Sequence, residues 1–133
     1  AGQTTPEDAL PGVVSLIDEL KGSGMKVALG SSSKNAEMIL TRLKLIDRFD
    51  ALVDGNHITL SKPDPEVFLM GAKALNLAPE YCLVFEDAQS GIDAANTGGF
   101  HVIGIGNTDS LSKAAAVIPG FGHVTWADIN ALL

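Results

Sequence analysis

The chain has 133 residues, enough for one domain with its own core. Its 46% hydrophobic and 5% aromatic content suits a compact α/β domain built on Ala, Val, Leu and Ile and speaks against disorder. A formal net charge of −7 argues against nucleic acid as the partner, no apolar run is long enough to span a bilayer, and a single cysteine, Cys82, excludes a disulfide within the chain.

No internal repeat, low-complexity tract or interdomain linker interrupts the chain, so residues 1–133 read as one domain. The opening AGQTTPEDALPG has neither a basic n-region nor an apolar h-region. No signal peptide is expected, and a reducing, cytoplasmic setting is the default. The absence of an initiator Met points to a trimmed or partial chain. Residues 11–21 carry Val13, Leu16, Ile17 and Leu20 at helical spacing, with Pro11 suited to the first turn and Gly22 and Gly24 to the stop. Residues 26–30 form a short buried strand. Residues 35–45 are helical, with Ile39, Leu40 and Leu43 on one side. Residues 51–54 make a second strand, and residues 65–76 a helix with Phe68, Ala72 and Leu75 inward. A strand is expected at 82–85, a helix at 90–97 and a strand at 102–105. Short helices are expected at 109–117 and 127–133, the last anchored by Trp126.

Strands that alternate with helices mean βαβ units and a mostly parallel sheet between helical layers. In such sheets ligands bind beyond the carboxyl ends of the strands. Chemistry is therefore expected just after Gly30, Asp54, Phe85 and Ile105.

A polar cluster follows the first strand in VALGSSSKN. Ser31, Ser32 and Ser33 offer hydroxyls, the next helix offers free backbone N–H groups, and Lys34 and Asn35 add a charge and a neutral donor. That combination suits an anion such as phosphate. The alternative is plain N-capping of the helix by Ser33 or Ser31. In CLVFEDAQSG, Glu86 and Asp87 are adjacent carboxylates at a strand end. They repel unless a cation intervenes, and a hard ion such as Mg²⁺ would suit them. The alternative has Asp87 capping the helix while Glu86 is solvated. In SKPDPEVF, Lys62 precedes Pro63, and Pro65 opens a helix. A lysine on so stiff a backbone could neutralise a phosphoryl oxygen and pair with Glu86 or Asp87, or it could be a surface lysine in a turn. Cys82, in an apolar run, reads as an inert core thiol. His57, His101 and His123 have no metal-ligand spacing and read as structural or exposed. GIGNTDS contains no complete G-x-G-x-x-G, which makes it a weak dinucleotide signal.

In order, GSSSKN, SKPDPEVF and EDAQSGIDAA resemble the motif set of the haloacid dehalogenase superfamily, and within it the β-phosphoglucomutase-like branch. The likeness runs from about Ala9 to the C-terminus. It implies a three-layer, Rossmann-like core with a mostly parallel sheet. It implies Mg²⁺-dependent phosphoryl transfer on a small phosphorylated sugar, with interconversion of β-glucose 1-phosphate and glucose 6-phosphate favoured by the SKN ending. Ser31 would hydrogen-bond the transferring phosphoryl group with help from the Ser32 N–H. Lys62 would neutralise it, Glu86 and Asp87 would hold Mg²⁺, and Ser33, Lys34 and Asn35 would grip the sugar's non-reacting phosphate. A sugar-phosphate phosphatase is the first alternative. A non-catalytic remnant that binds a phosphorylated ligand or a partner is the second.

The chain departs from the family pattern at one point. The D-x-D motif that supplies nucleophile and general acid/base is absent from the sequence, and so is a cap domain. Asp54 and Asp50 have the wrong spacing to replace it. The resemblance places the missing strand between the serine-motif strand and the acidic-pair strand. A core portion alone is therefore expected to be inactive, and to need an N-terminal segment to complete its sheet.

Overall fold

The computed structural model describes residues 12–31, 33–106, 111–118, 120–121 and 125–132. The elements are α1 (Val13–Gly22), β1 (Ala28–Gly30), α2 (Ala36–Arg42), β2 (Ala51–Val53), α3 (Glu66–Ala74), β3 (Leu83–Glu86), α4 (Gln89–Thr97), β4 (His101–Ile105), β5 (Ala116–Ile118) and α5 (Trp126–Asn130). Single 3-10 turns at Ile46–Arg48 and Pro79–Tyr81 precede β2 and β3. Helices stop where the backbone turns left-handed. Lys44 after α2 and Asn76 after α3 have φ of 59° and 60°, and the next amides, Leu45 and Leu77, donate back to Leu40 O and Ala72 O.

All pairing is parallel, but it falls into two ladders. β1 pairs with β2, and β3, β4 and β5 form a second sheet in that order. Among the described residues no strand joins β1 to β3, so each presents one unpaired edge. The three residues of β1 are only half buried, unlike the fully buried strands usual in a parallel sheet.

Helices hold the halves together from both faces. On one face α1 bridges them: Leu16 and Val13 pack in a cluster with Ile103, Ile118 and Ile129, while Val14 packs with Leu29, Leu40 and Leu52. Two ion pairs and a hydrogen bond extend this bridge. Lys21 reaches Asp50 Oδ1 at 2.8 Å, Arg48 reaches Asp18 at 3.1 Å, and Glu19 accepts the Trp126 N–H at 3.0 Å. On the other face α3 packs on β1 and β2 and touches α4, and Ala72 joins Val84, Ile92, Ala95, Phe100 and Val102 in one core cluster. Alternate residues of β3 and β4 serve the two faces, Val84 and Val102 toward α3 and α4, Phe85 and Ile103 toward α1 and α5.

The α/β order and most elements match the sequence reading. The helix expected at 109–117 does not form. Asp109 and Ser110 lie outside the described residues, residues 111–115 are irregular, and Ala116–Ile118 is β5. Its alanines favour a helix locally, but Lys113 turns left-handed (φ 68°) and the Ala115 N–H donates to Val102 O. Ile103, Gly104 and Ile105 then ladder with Ala116, Val117 and Ile118, and this tertiary pairing overrides propensity. The last helix begins earlier than expected and ends earlier; it is opened by a capping box in which Thr125 and Asp128 exchange backbone and side-chain hydrogen bonds. No helix among the described residues is long and apolar enough to cross a membrane.

Ile92 is fully buried between α4 and the sheet. Ile92→Ala should lower stability by about 2–5 kcal/mol, measured by urea unfolding. A loss under about 0.5 kcal/mol would mean that this cluster is not the core.

Candidate phosphoryl-transfer site

Ser31 extends the β1–β2 ladder by one step: its N–H donates to Val53 O at 2.9 Å. Beyond it the serines bond within their own segment. Ser31 Oγ accepts from Ser33 N and Ser33 Oγ accepts from Asn35 N, both at 3.1 Å. The N-cap of α2 is Asn35, and its side chain makes no capping bond. Neither Ser31 nor Ser33 caps the helix, so that alternative fails. Ser33, Lys34 and Asn35 are exposed and Ser31 is half buried. Ser32 lies outside the described residues.

Lys62 meets the acidic pair. Its Nζ donates to Glu86 Oε2 at 3.0 Å, with side-chain exposures of 18% and 9%. The ammonium also stands 5.0 Å from the centre of the Phe68 ring, a cation–π distance. It is therefore a part-buried, paired lysine and not a free surface one. The other Glu86 oxygen accepts the Asp87 and Ala88 N–H groups at 3.1 and 3.2 Å. Asp87 is exposed, and the N-cap of α4 is Ala88, with no side-chain cap. Glu86 is thus far from solvated, and Asp87 keeps its carboxylate free of the helix end.

Phe68 ties the serine strand to this pair. A Cβ on Gly30, the residue before Ser31, would sit 3.4 Å from the Phe68 ring and 3.2 Å from Val67. One α3 side chain thus underlies both the end of β1 and the lysine. The structure brings together the strand end at Ser31, Lys62 and Glu86 through this shared neighbour.

Two residues that build the site escape a reading based on reactive groups. Gly91 is one: a Cβ there would overlap the Glu86 carboxylate, so only glycine leaves room for it. Glu66 is the second. Its carboxylate accepts from Thr59 N at 2.8 Å, Leu60 N at 2.9 Å and the Thr59 hydroxyl, closing the loop that carries Lys62. These hydrogen bonds, from Thr59 and Leu60 amides foremost, hold the Glu66 carboxyl below its ordinary value of 4.5. The signals were in view, the SG after the acidic pair and the acidic residue after KPDP, but neither residue carries chemistry of its own. His57 contacts Asp54 and His101 contacts Glu80 O, both structural roles, while His123 lies outside the described residues. Cys82 is half buried, and desolvation pushes its thiol pKa up, as befits an inert sulfur.

Residues 5–105 match the family model of haloacid dehalogenase-like hydrolases, and the chain belongs to that family. It is 42% identical over 114 residues to a β-phosphoglucomutase of Bacillus subtilis, covering 86% of this chain and 50% of that protein. It is 37% identical over 110 residues to a phosphorylated carbohydrates phosphatase of Thermotoga maritima, covering 81% and 50%. The crystal structure of a β-phosphoglucomutase from Clostridium difficile superposes with a TM-score of 0.92 at 39% identity, over 97% of this chain and 58% of that one. The chain spans about half the length of the curated relatives it matches.

Gly91→Ala must push Glu86 off Lys62 or strain α4, and should cost about 1–3 kcal/mol in urea unfolding. Gly22→Ala, where a Cβ meets nothing within 4 Å, should instead be neutral or stabilising by up to about 1 kcal/mol. Equal effects would refute the steric account of Gly91.

The Glu66 clamp has a defined pH window. Because its folded pKa is depressed, its contribution is complete above the ordinary value of 4.5 and fades as pH falls through the folded value. Parent and Glu66→Gln melting temperatures should therefore differ at pH 7 and converge below pH 4.5. A constant difference down to the most acid pH would show that the carboxylate's charge plays no part.

Proposed function

We propose that this chain is the core portion of a Mg²⁺-dependent phosphomutase that interconverts β-glucose 1-phosphate and glucose 6-phosphate. The observation that carries the reading is the pairing of part-buried Lys62 with buried Glu86, sharing Phe68 with the end of the serine strand. A desolvated ammonium fixed at a strand end is suited to charge that develops on a transferring phosphoryl group. Ser31 hydrogen-bonds that group, aided by the Ser32 N–H. Ser33, Lys34 and Asn35 hold the sugar's second phosphate, where Lys34 adds a charge and Asn35 a neutral donor.

The donor set fits Mg²⁺. Glu86 has spent three of its roughly four lone-pair positions on Lys62 and two amides, while the exposed Asp87 carboxylate is uncommitted to its helix. Two hard oxygen donors, with water and phosphate oxygens completing the shell, are what this small ion takes. When bound, it would neutralise phosphoryl charge beside Lys62.

The nucleophile belongs to an upstream segment. An aspartate there attacks phosphorus, the P–O bond to the sugar breaks, and a second carboxylic acid gives its proton to the departing sugar oxygen. The reverse sequence delivers the phosphoryl group to the other hydroxyl. The unpaired edges of β1 and β3 support a strand entering between them. The chain by itself, lacking that segment and a cap, would be inactive. The likeness to the Thermotoga maritima phosphatase favours a second reading, in which water takes the phosphoryl group from the same site.

The decisive experiment uses the full product of the natural gene, whose intact mass also reports an upstream segment. With β-glucose 1-phosphate and a catalytic amount of the bisphosphate, a mutase yields glucose 6-phosphate, while a phosphatase releases inorganic phosphate. Lys62→Ala should lower kcat by about 10²–10³-fold. Asp87→Ala should lose activity and Mg²⁺ dependence together, and full activity in that variant would refute the metal assignment.

A further inference from the structure

The buried carboxylate of Asp54 has no part in the chemistry above. Its side chain is 3% exposed, and it organises a tight turn after β2. Oδ1 accepts the Asn56 N–H at 2.8 Å and lies 3.2 Å from His57 Nδ1, while the Asp54 N–H donates to that same ring nitrogen at 3.0 Å. The turn in turn grasps the serine segment. Gly55 N donates to Ser33 O at 2.9 Å, and Asn56 Nδ2 donates to Lys34 O at 3.1 Å. With the Ser31 N–H on Val53 O, three consecutive links run from the end of β2 along this segment, continuing the β1–β2 ladder past its last paired residue.

These links matter because the segment has little other external support among the described residues. Its serine hydroxyls accept from amides of the same segment and so tie it to nothing outside, and α2 begins without a side-chain cap. A loop that must place an ammonium and an amide against a phosphate loses affinity when its backbone is free to wander. We propose that Asn56, oriented by Asp54, is a positioning residue for Ser33, Lys34 and Asn35, and thereby sets the affinity for the sugar phosphate. The inference rests on the reading of those three residues as the grip on the non-reacting phosphate.

Asn56 is exposed, so its replacement leaves the core intact. Backbone ¹⁵N order parameters and the Kd for glucose 6-phosphate, by NMR titration of the full-length protein, test the proposal on the same samples. Asn56→Ala should lower the order parameters of Lys34 and Asn35 and weaken binding about two- to tenfold, the worth of one net hydrogen bond. Asn56→Asp matches in size but cannot donate to Lys34 O, and should bind no better than the alanine variant. Asn35→Ala serves as the control for the grip itself. Unchanged order parameters in Asn56→Ala overturn the clamp. Lowered order parameters with unchanged Kd, while Asn35→Ala binds weakly, overturn its link to affinity. Should Asn35→Ala also bind like the parent, the phosphate grip fails, and the proposal falls with it for a separately visible reason.

Discussion

An ammonium and a carboxylate, 3.0 Å apart and largely out of water, set the terms for the rest of this structure. Taking both charges from solvent costs several kcal/mol per ion, repaid only by good geometry and further hydrogen bonds. The surroundings supply these. Two amides at the start of the α4 turn bond the free Glu86 oxygen, the Phe68 ring lies beside the Lys62 ammonium, and Gly91 yields the space the carboxylate needs. Removing one member would leave the other buried and unpaired. The loop of Lys62 and the loop of Glu86, 24 residues apart in sequence, are therefore locked to each other by electrostatics and not by any strand pairing.

That lock is needed because the sheet does not connect its own halves. Parallel ladders fix β1 against β2 and β3 against β4 and β5, but nothing described pairs β1 with β3. Their relation is carried by side chains. α1 sends apolar residues into both halves on one face, and α3 does so on the other. Such packing is strong but less directional than a row of N–H···O=C bonds. Directional constraint at the site end comes from Phe68, which touches the first half near Gly30 and the second through Lys62 and Phe100.

The alternation of apolar runs and helical spacing carried the fold, because βαβ units write both periods plainly. Strand ends then pointed to the Ser31, Lys62 and Glu86 regions without structural help. The sequence failed where a distant partner decided. The stretch 109–117 reads as a helix in isolation, yet Ala116–Ile118 becomes a strand because β4 offers Ile103, Gly104 and Ile105 as an edge. The same limit hid Gly91, Glu66 and Asn56. Each acts on a neighbour's backbone or side chain, and none of that is visible in its own chemistry. The two bland alternatives at Ser33 and Asp87, helix capping in both cases, were plausible by composition. They fail because each polar group stops one or two residues short of the helix.

The distribution of anchors has a consequence for how such a site can be divided between segments. Ser31, Ser33 and Lys34 are held from the end of β2, Lys62 is held by Glu86 and by a loop that Glu66 closes, and Glu86 is held by its own turn. None of these supports requires a strand between β1 and β3. The parts proposed to bind phosphate and neutralise its charge can therefore stand preorganised before the sheet is complete. A strand entering the gap would have two tasks, to satisfy the open edges with backbone hydrogen bonds and to deliver a reactive carboxylate to groups already in place. Binding geometry and nucleophile are separable in this architecture because they rest on different bonds.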